Sequence, residues 1–176
     1  MILPVRVGII TASDRCSQGK RADESGRLLK LLVEGLPAEV VAYRIFPDDK
    51  DILKKALRHM ADLFHCDFVL TTGGTGLSPR DQTPEATREV IEKEIPGIAE
   101  AIRQDGLKKT KFAMLSRGLA GVRGKTLVVN LPGNPEAVGD AFEVLRPILR
   151  HATELIKGEV IDCHPSSPSR LSHSHS

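Results

Sequence analysis

At 176 residues, 40% hydrophobic and 27% charged, the chain has the size and balance of one globular domain that can bury a core without disulfides or metals as staples. A net charge of +2, 3% aromatic content and no tryptophan argue against a nucleic-acid binder, which needs a strong positive balance or base-stacking platforms. Three widely spaced cysteines, Cys16, Cys66 and Cys163, suggest neither a disulfide framework nor a zinc site, and no secretion signal or apolar run of membrane length is read. The expectation is a reducing, cytoplasmic setting with no membrane contact.

Val5 to Ala12 reads as a buried first strand that runs into the polar loop Ser13 to Gly19. Open α/β sheets bind ligands in loops at the carboxyl ends of their strands, so Ser13 and Asp14 are candidate substrate contacts, with capping and turn formation as the competing role. Asp23 to Gly26 precede a helix predicted over Arg27 to Leu36, in which Leu28, Leu31 and Leu32 share one face. Val40 to Phe46 is predicted as a second strand, followed by Pro47-Asp48-Asp49. A helix marked by Ile52, Leu53, Ala56, Leu57, Met60 and Leu63 then runs to about His65. Asp48 and Asp49 both stand where an N-cap belongs, and capping is the default role of either.

Phe68-Val69-Leu70 is the short apolar run of a buried strand, and it stops at Thr71-Thr72-Gly73-Gly74-Thr75-Gly76. Glycines there let the backbone approach a ligand and turn its N–H groups toward an anion, while Thr71, Thr72, Thr75 and Ser78 add hydroxyls. Pro79 stiffens the loop, Arg80 adds a planar cation, and Asp81 places a carboxylate at the entrance of a helix beginning near Thr83-Pro84. That chemistry suits phosphate, yet neither familiar nucleotide signature fits. Pro79 stands where the dinucleotide fingerprint needs its third glycine. A P-loop at Gly124-Lys125-Thr126 would have Leu119 as its first glycine and a strand where its helix belongs.

Ala86, Val90 and Ile91 continue the helix from Thr83, Pro96-Gly97 breaks it, and another runs from about Ile98 to Leu107. Between Ala101 and Val128, Arg103, Lys108, Lys109, Lys111, Arg117, Arg123 and Lys125 face the single acid Asp105, a candidate wall for an anionic substrate. Phe112 to Leu115 lead to Ser116-Arg117-Gly118. The strand Thr126 to Leu131 ends in the turn Pro132-Gly133-Asn134-Pro135, and Ala137 to Ile156 is read as the last helix. The domain is taken as 1–158, and 159–176, rich in Ser, Pro and His, as a disordered tail. Strands alternating with helices, each strand ending in a polar loop, predict a three-layer α/β sandwich with a mostly parallel sheet.

TASD (Thr11 to Asp14), ESG (Glu24 to Gly26), PDD (Pro47 to Asp49), TGGTG (Thr72 to Gly76), PRDQTPEAT (Pro79 to Thr87), MLSRG (Met114 to Gly118) and NLPGNP (Asn130 to Pro135) together resemble the molybdopterin adenylyltransferase family. That family comprises the bacterial Mog-type enzymes and their MoaB-type relatives, the gephyrin G domain and the matching plant domain, and the resemblance spans Val5 to Gly158 in order and spacing. It implies a molybdopterin-binding fold, usually a homotrimer, that makes adenylyl-molybdopterin and pyrophosphate from molybdopterin and Mg-ATP. The product passes to molybdate insertion, so a molybdate-insertion protein is a possible partner. A carrier or scaffold that binds molybdopterin without transferring AMP is the alternative.

On matching positions, Asp48 and Asp81 resemble the two critical aspartates, expected to be catalytic and to hold Mg²⁺ against the triphosphate. Ser13 and Asp14, Thr72 to Gly76, Arg80, Ser116 and Arg117, and Pro132, Gly133 and Asn134 correspond to substrate-binding loops, with the glycine N–H groups and both arginines offsetting phosphate charge. Gln82 departs from the pattern, since relatives often carry a small apolar residue such as valine there.

Overall fold

The computed structural model describes residues 4–159, so Cys163 and the predicted tail beyond Glu159 lie outside the described residues. Its strands are β1 (Val5–Ala12), β2 (Ala38–Phe46), β3 (Phe68–Thr72), β4 (Lys93–Glu94), β5 (Ala120–Arg123) and β6 (Thr126–Leu131). They form one sheet in the order β2-β1-β3-β6-β5-β4. The first four in that order pair in parallel and the last two add antiparallel, which is the mostly parallel sheet predicted.

Alternation along the strands sends side chains to two cores, because successive residues of a strand point to opposite faces. Val7, Ile9, Phe68, Leu70, Leu127, Val129 and Leu131 pack on one side against Leu29 and Val33 of α2 (Glu24–Glu34), Ile102 of α5 (Pro96–Leu107), Phe142 and Leu145 of α6 (Pro135–Leu145), and Leu149 of α7 (Leu149–Lys157). Ile10, Ala12, Val69 and Val128 pack on the other side against Leu53 and Leu57 of α3 (Lys50–Arg58) and Ala86 of α4 (Thr83–Arg88). Helices therefore cover both faces of the sheet, the three-layer arrangement that a parallel sheet requires. No helix among the described residues is long and apolar enough to cross a membrane.

Four local readings need correction. The loop after β1 contains a short helix, α1 (Asp14–Ser17), which Ser13 caps by accepting the Cys16 N–H at 3.2 Å. The last helix is interrupted by a 3-10 turn over Arg146–Ile148, since Pro147 has no N–H for the helical ladder and its ring crowds the preceding turn. The helix expected to run from Thr83 through Ile91 to Pro96 stops at Arg88 and is followed by β4, so Pro96 ends no helix but opens α5 at its first position, where a missing N–H costs nothing. The strands β4 and β5 are too short, and β5 too interrupted by Gly121, for alternation to reveal them.

Candidate active site at the carboxyl edge of the sheet

From β1 the chain crosses outward to β2, then returns past β1 to β3, so a crevice opens between β1 and β3 at their carboxyl ends. The loops after β1, β2, β3 and β6 meet there. They carry Ser13 and Asp14, Asp48, Gly73 to Gly76, and Pro132 to Asn134, the parallel strands having delivered all four to one edge.

The two neighbouring acids after β2 separate by role. Asp49 is the N-cap of α3 and accepts the Ile52 N–H at 2.9 Å. Asp48 is left to face the crevice. Its Oδ2 accepts the Asp14 N–H at 2.9 Å, and Asp14 Oδ1 accepts the Asp48 N–H at 3.0 Å, a reciprocal lock between the first two loops. Asp14 also receives Arg80 through two guanidinium nitrogens, at 2.9 and 2.8 Å. That pairing holds the Asp14 carboxyl below its usual value, whereas burial, aided by the neighbouring charges of Asp14 and Asp81, pushes Asp48 up. Asp48 Oδ1 is buried without a partner among the described residues, an orphan acceptor beside Gly74.

Gly73 and Gly74 have φ of +92° and +65°, the left-handed region that side chains disfavour. A Cβ on Gly73 would stand 2.3 Å from the Ala12 carbonyl oxygen. The loop beyond is held by Arg117, whose guanidinium donates to the Gly76 carbonyl at 2.7 Å and the Asp81 carbonyl at 2.8 Å and pairs with Glu85. Burial raises the Glu85 carboxyl, but Arg117 outweighs it and leaves the group below its usual value. Asp81 Oδ2 accepts the Ser78 N–H at 2.9 Å. Gln82 occupies the cap position of α4 and donates to the Pro79 carbonyl at 3.2 Å, which bridges the loop on itself.

Two cavities adjoin this loop. The smaller, about 210 Å³, is bordered by Ser13, Cys16, Ser25, Asp48, Thr72, Gly73, Gly74, Asp81 and Gly133. The larger, about 660 Å³, runs from Gly74, Thr75, Gly76 and Asp81 past Ser116, Pro132, Gly133 and Asn134 to Arg103, Phe112 and Asp140. Gly74, Asp81 and Gly133 border both.

Of the predicted contacts, Asp14, Arg80 and Arg117 border neither cavity, being occupied with Asp48, Asp14 and the loop carbonyls respectively. The basic wall contributes Arg103 and Lys109 to the larger cavity. Arg103 is spent on the Gly118 carbonyl at 2.8 Å and Lys109 on Asp140 at 2.7 Å, while Lys108 and Arg123 pair with Asp105 and Asp62. Sequence reasoning passed over the buried acid Asp23, which accepts hydroxyl bonds from Thr11, at 2.6 Å, and from Tyr43. It also gave no role to Ser25, although both residues flank the quoted ESG motif or lie in it.

Residues 8–151 match the family described as "Probable molybdopterin binding domain". The chain belongs to that family. The molybdopterin-binding domain here is similar to the molybdopterin adenylyltransferase of Helicobacter pylori strain J99, with 42% identity over 157 residues covering 88% of this chain and 89% of the relative. It is similar as well to the molybdenum cofactor synthesis protein cinnamon of Drosophila melanogaster, 43% identical over 157 residues; the match covers 89% of this chain but only 26% of that longer protein. Among solved structures, the molybdopterin biosynthesis enzyme MoaB of Thermus thermophilus superposes with a TM-score of 0.83 at 49% identity, covering 88% of this chain and 97% of the other. The domain therefore shares the fold derived above with the Thermus protein, and sequence similarity with all three.

Proposed function

We propose that the chain is a molybdopterin adenylyltransferase, a nucleotidyltransferase that moves AMP from Mg-ATP to the phosphate of molybdopterin. The observation that carries this reading is the pair of cavities that adjoin at Gly74, Asp81 and Gly133, because a transfer between two substrates needs two spaces joined at the reacting atoms. The curated adenylyltransferase from Helicobacter pylori, matched over most of its own length, supports it.

A phosphate oxygen of molybdopterin attacks the α-phosphorus of ATP, the bond from that phosphorus to its bridging oxygen breaks, and pyrophosphate leaves with the electron pair. No protein nucleophile is required, so the residues position and neutralise. Gly74 and Gly76 offer the larger cavity, and Gly73 and Gly74 the smaller, a backbone surface free of side chains for phosphate, and Thr75 and Ser116 border the larger.

Asp48 and Asp81 fit a hard cation carried by the triphosphate. Asp48 offers a buried oxygen with no partner among the described residues, and Asp81 lies close enough to raise its pKa. Among the described residues no cluster of three metal-capable side chains forms, which suits magnesium, since it is held by one or two carboxylates together with substrate phosphates. When bound there, Mg²⁺ would draw charge from the triphosphate oxygens. A cytoplasmic homotrimer that hands its product to a molybdate-insertion protein completes the reading taken from the family resemblance, and sedimentation of the purified chain tests the assembly.

Asp81→Asn is expected to fold as the parent does and to lose AMP transfer by about 100-fold or more, measured as pyrophosphate released from Mg-ATP in the presence of molybdopterin. Undiminished release would remove Asp81 from the mechanism.

A further inference from the structure

Ser25 sits in the first turn of α2, is only 7% exposed, and takes no part in the chemistry above. Its hydroxyl crosses to a loop 108 residues away and donates to the Gly133 carbonyl at 3.1 Å. One residue earlier, the Thr72 hydroxyl donates to the Pro132 carbonyl at 2.6 Å. No described peptide bond is cis, and in a trans peptide the N–H points opposite to the C=O. Two successive carbonyls pinned from behind therefore turn the N–H groups of Gly133 and Asn134 away from those hydroxyls. Neither N–H has an acceptor among the described residues. Gly133 borders both cavities and Asn134 the larger.

Ser25 is itself fixed from below. Asp23, the N-cap of α2, accepts the Gly26 N–H at 2.9 Å through Oδ1, and Oδ2 receives the Thr11 and Tyr43 hydroxyls. Gly133, by contrast, has no side chain to resist rotation of its peptide planes, so the orientation of the Gly133–Asn134 peptide depends on what grips its carbonyl.

We infer that Ser25 is a positioning residue for the transfer reaction: by holding the Gly133 carbonyl it presets the Asn134 N–H, beside the Gly133 N–H set by Thr72, to receive the negative charge that gathers on the α-phosphate oxygens. The inference rests on the adenylyltransferase reading. Donors fixed in advance stabilise a transition state without reorganising when it forms, so loss of the grip affects turnover more than binding.

The test compares Ser25→Ala and Ser25→Thr in the full chain. Alanine suits a helix, and threonine keeps the hydroxyl that grips Gly133. In Ser25→Ala, kcat for pyrophosphate release is expected to fall on the order of 10-fold, with KM for Mg-ATP and for molybdopterin changing by less than about twofold and Tm by less than about 3 °C. Ser25→Thr, which keeps the hydroxyl, is expected to retain most of kcat. A parental kcat in Ser25→Ala overturns the inference, as does a Ser25→Thr variant impaired to the same degree. If the parent itself releases no pyrophosphate, the adenylyltransferase reading fails separately, and the grip is then read from the backbone amide resonances of Gly133 and Asn134. An Asn134 amide resonance displaced in Ser25→Ala and restored in Ser25→Thr supports the preset donors, and an Asn134 resonance unmoved in Ser25→Ala overturns them.

Discussion

Asp48 illustrates how one residue can serve the site at the expense of the fold. Its Oδ1 is buried without a partner among the described residues and burial raises its pKa, so the folded state disfavours the ionised form. For an acid shifted upward, the stabilising contribution is complete below the ordinary aspartate value of about 3.9 and is lost as pH rises through the raised value. At pH 7 the charge is a burden, which Asp48→Asn relieves while an oxygen remains to accept the Asp14 N–H. The variant is expected to melt about 2 °C higher than the parent at pH 7, to lose that advantage as pH falls toward about 4, and to transfer AMP far more slowly. Melting curves across pH, alongside pyrophosphate release, check both halves; a variant less stable at pH 7 contradicts the assignment. Residue type alone left Asp48 and Asp49 interchangeable as caps. The structure separates them because only Asp49 stands one residue before α3 with its carboxylate on the Ile52 N–H. Ser25 was illegible for a different reason: its partner is 108 residues away, and no local pattern encodes that meeting.

Among the elements, the turn after β3 is where the backbone is least replaceable. Gly73 combines a φ of +92° with a Cβ position 2.3 Å from the Ala12 oxygen, whereas Gly124, in the β5–β6 hairpin, has a φ of +56° and open space around it. Gly73→Ala is expected to cost about 3 kcal/mol or more in urea unfolding, and Gly124→Ala about 1 kcal/mol, since the second meets backbone strain alone. Equal costs would show that the close approach to Ala12 carries no weight. The turn was legible because three glycines after a short apolar run signal close backbone approach. The strands β1, β3 and β6 were legible because both their faces are buried, which makes them near-continuous apolar runs. In β4 and β5 the two-residue length and the glycine erase that signal; β5 forms on the edge that β6 offers, and β4 in turn on the edge of β5.

For the molecule as a whole, the alternation of strands and helices was sufficient to predict three layers, and the parallel strands then bring four polar loops to one edge. What the sequence did not reveal is that this edge holds two spaces. The larger is walled by α5, the 3-10 turn Lys111–Leu115 and α6, whose approach depends on tertiary packing. Nor did the density of lysine and arginine near that wall indicate free positive charge, because Arg103, Lys109 and Arg117 are all engaged by protein acceptors. In the proposed reaction, backbone groups and two acids are therefore what the site presents to its substrates, in keeping with a transfer governed by positioning. The most direct measurement mixes the purified chain with Mg-ATP, adds molybdopterin, and follows pyrophosphate and the fate of the adenylyl group. Pyrophosphate formed in step with adenylyl-molybdopterin, and only when both substrates are present, is the expected result. Molybdopterin bound tightly with no pyrophosphate released would contradict it and leave the protein a carrier.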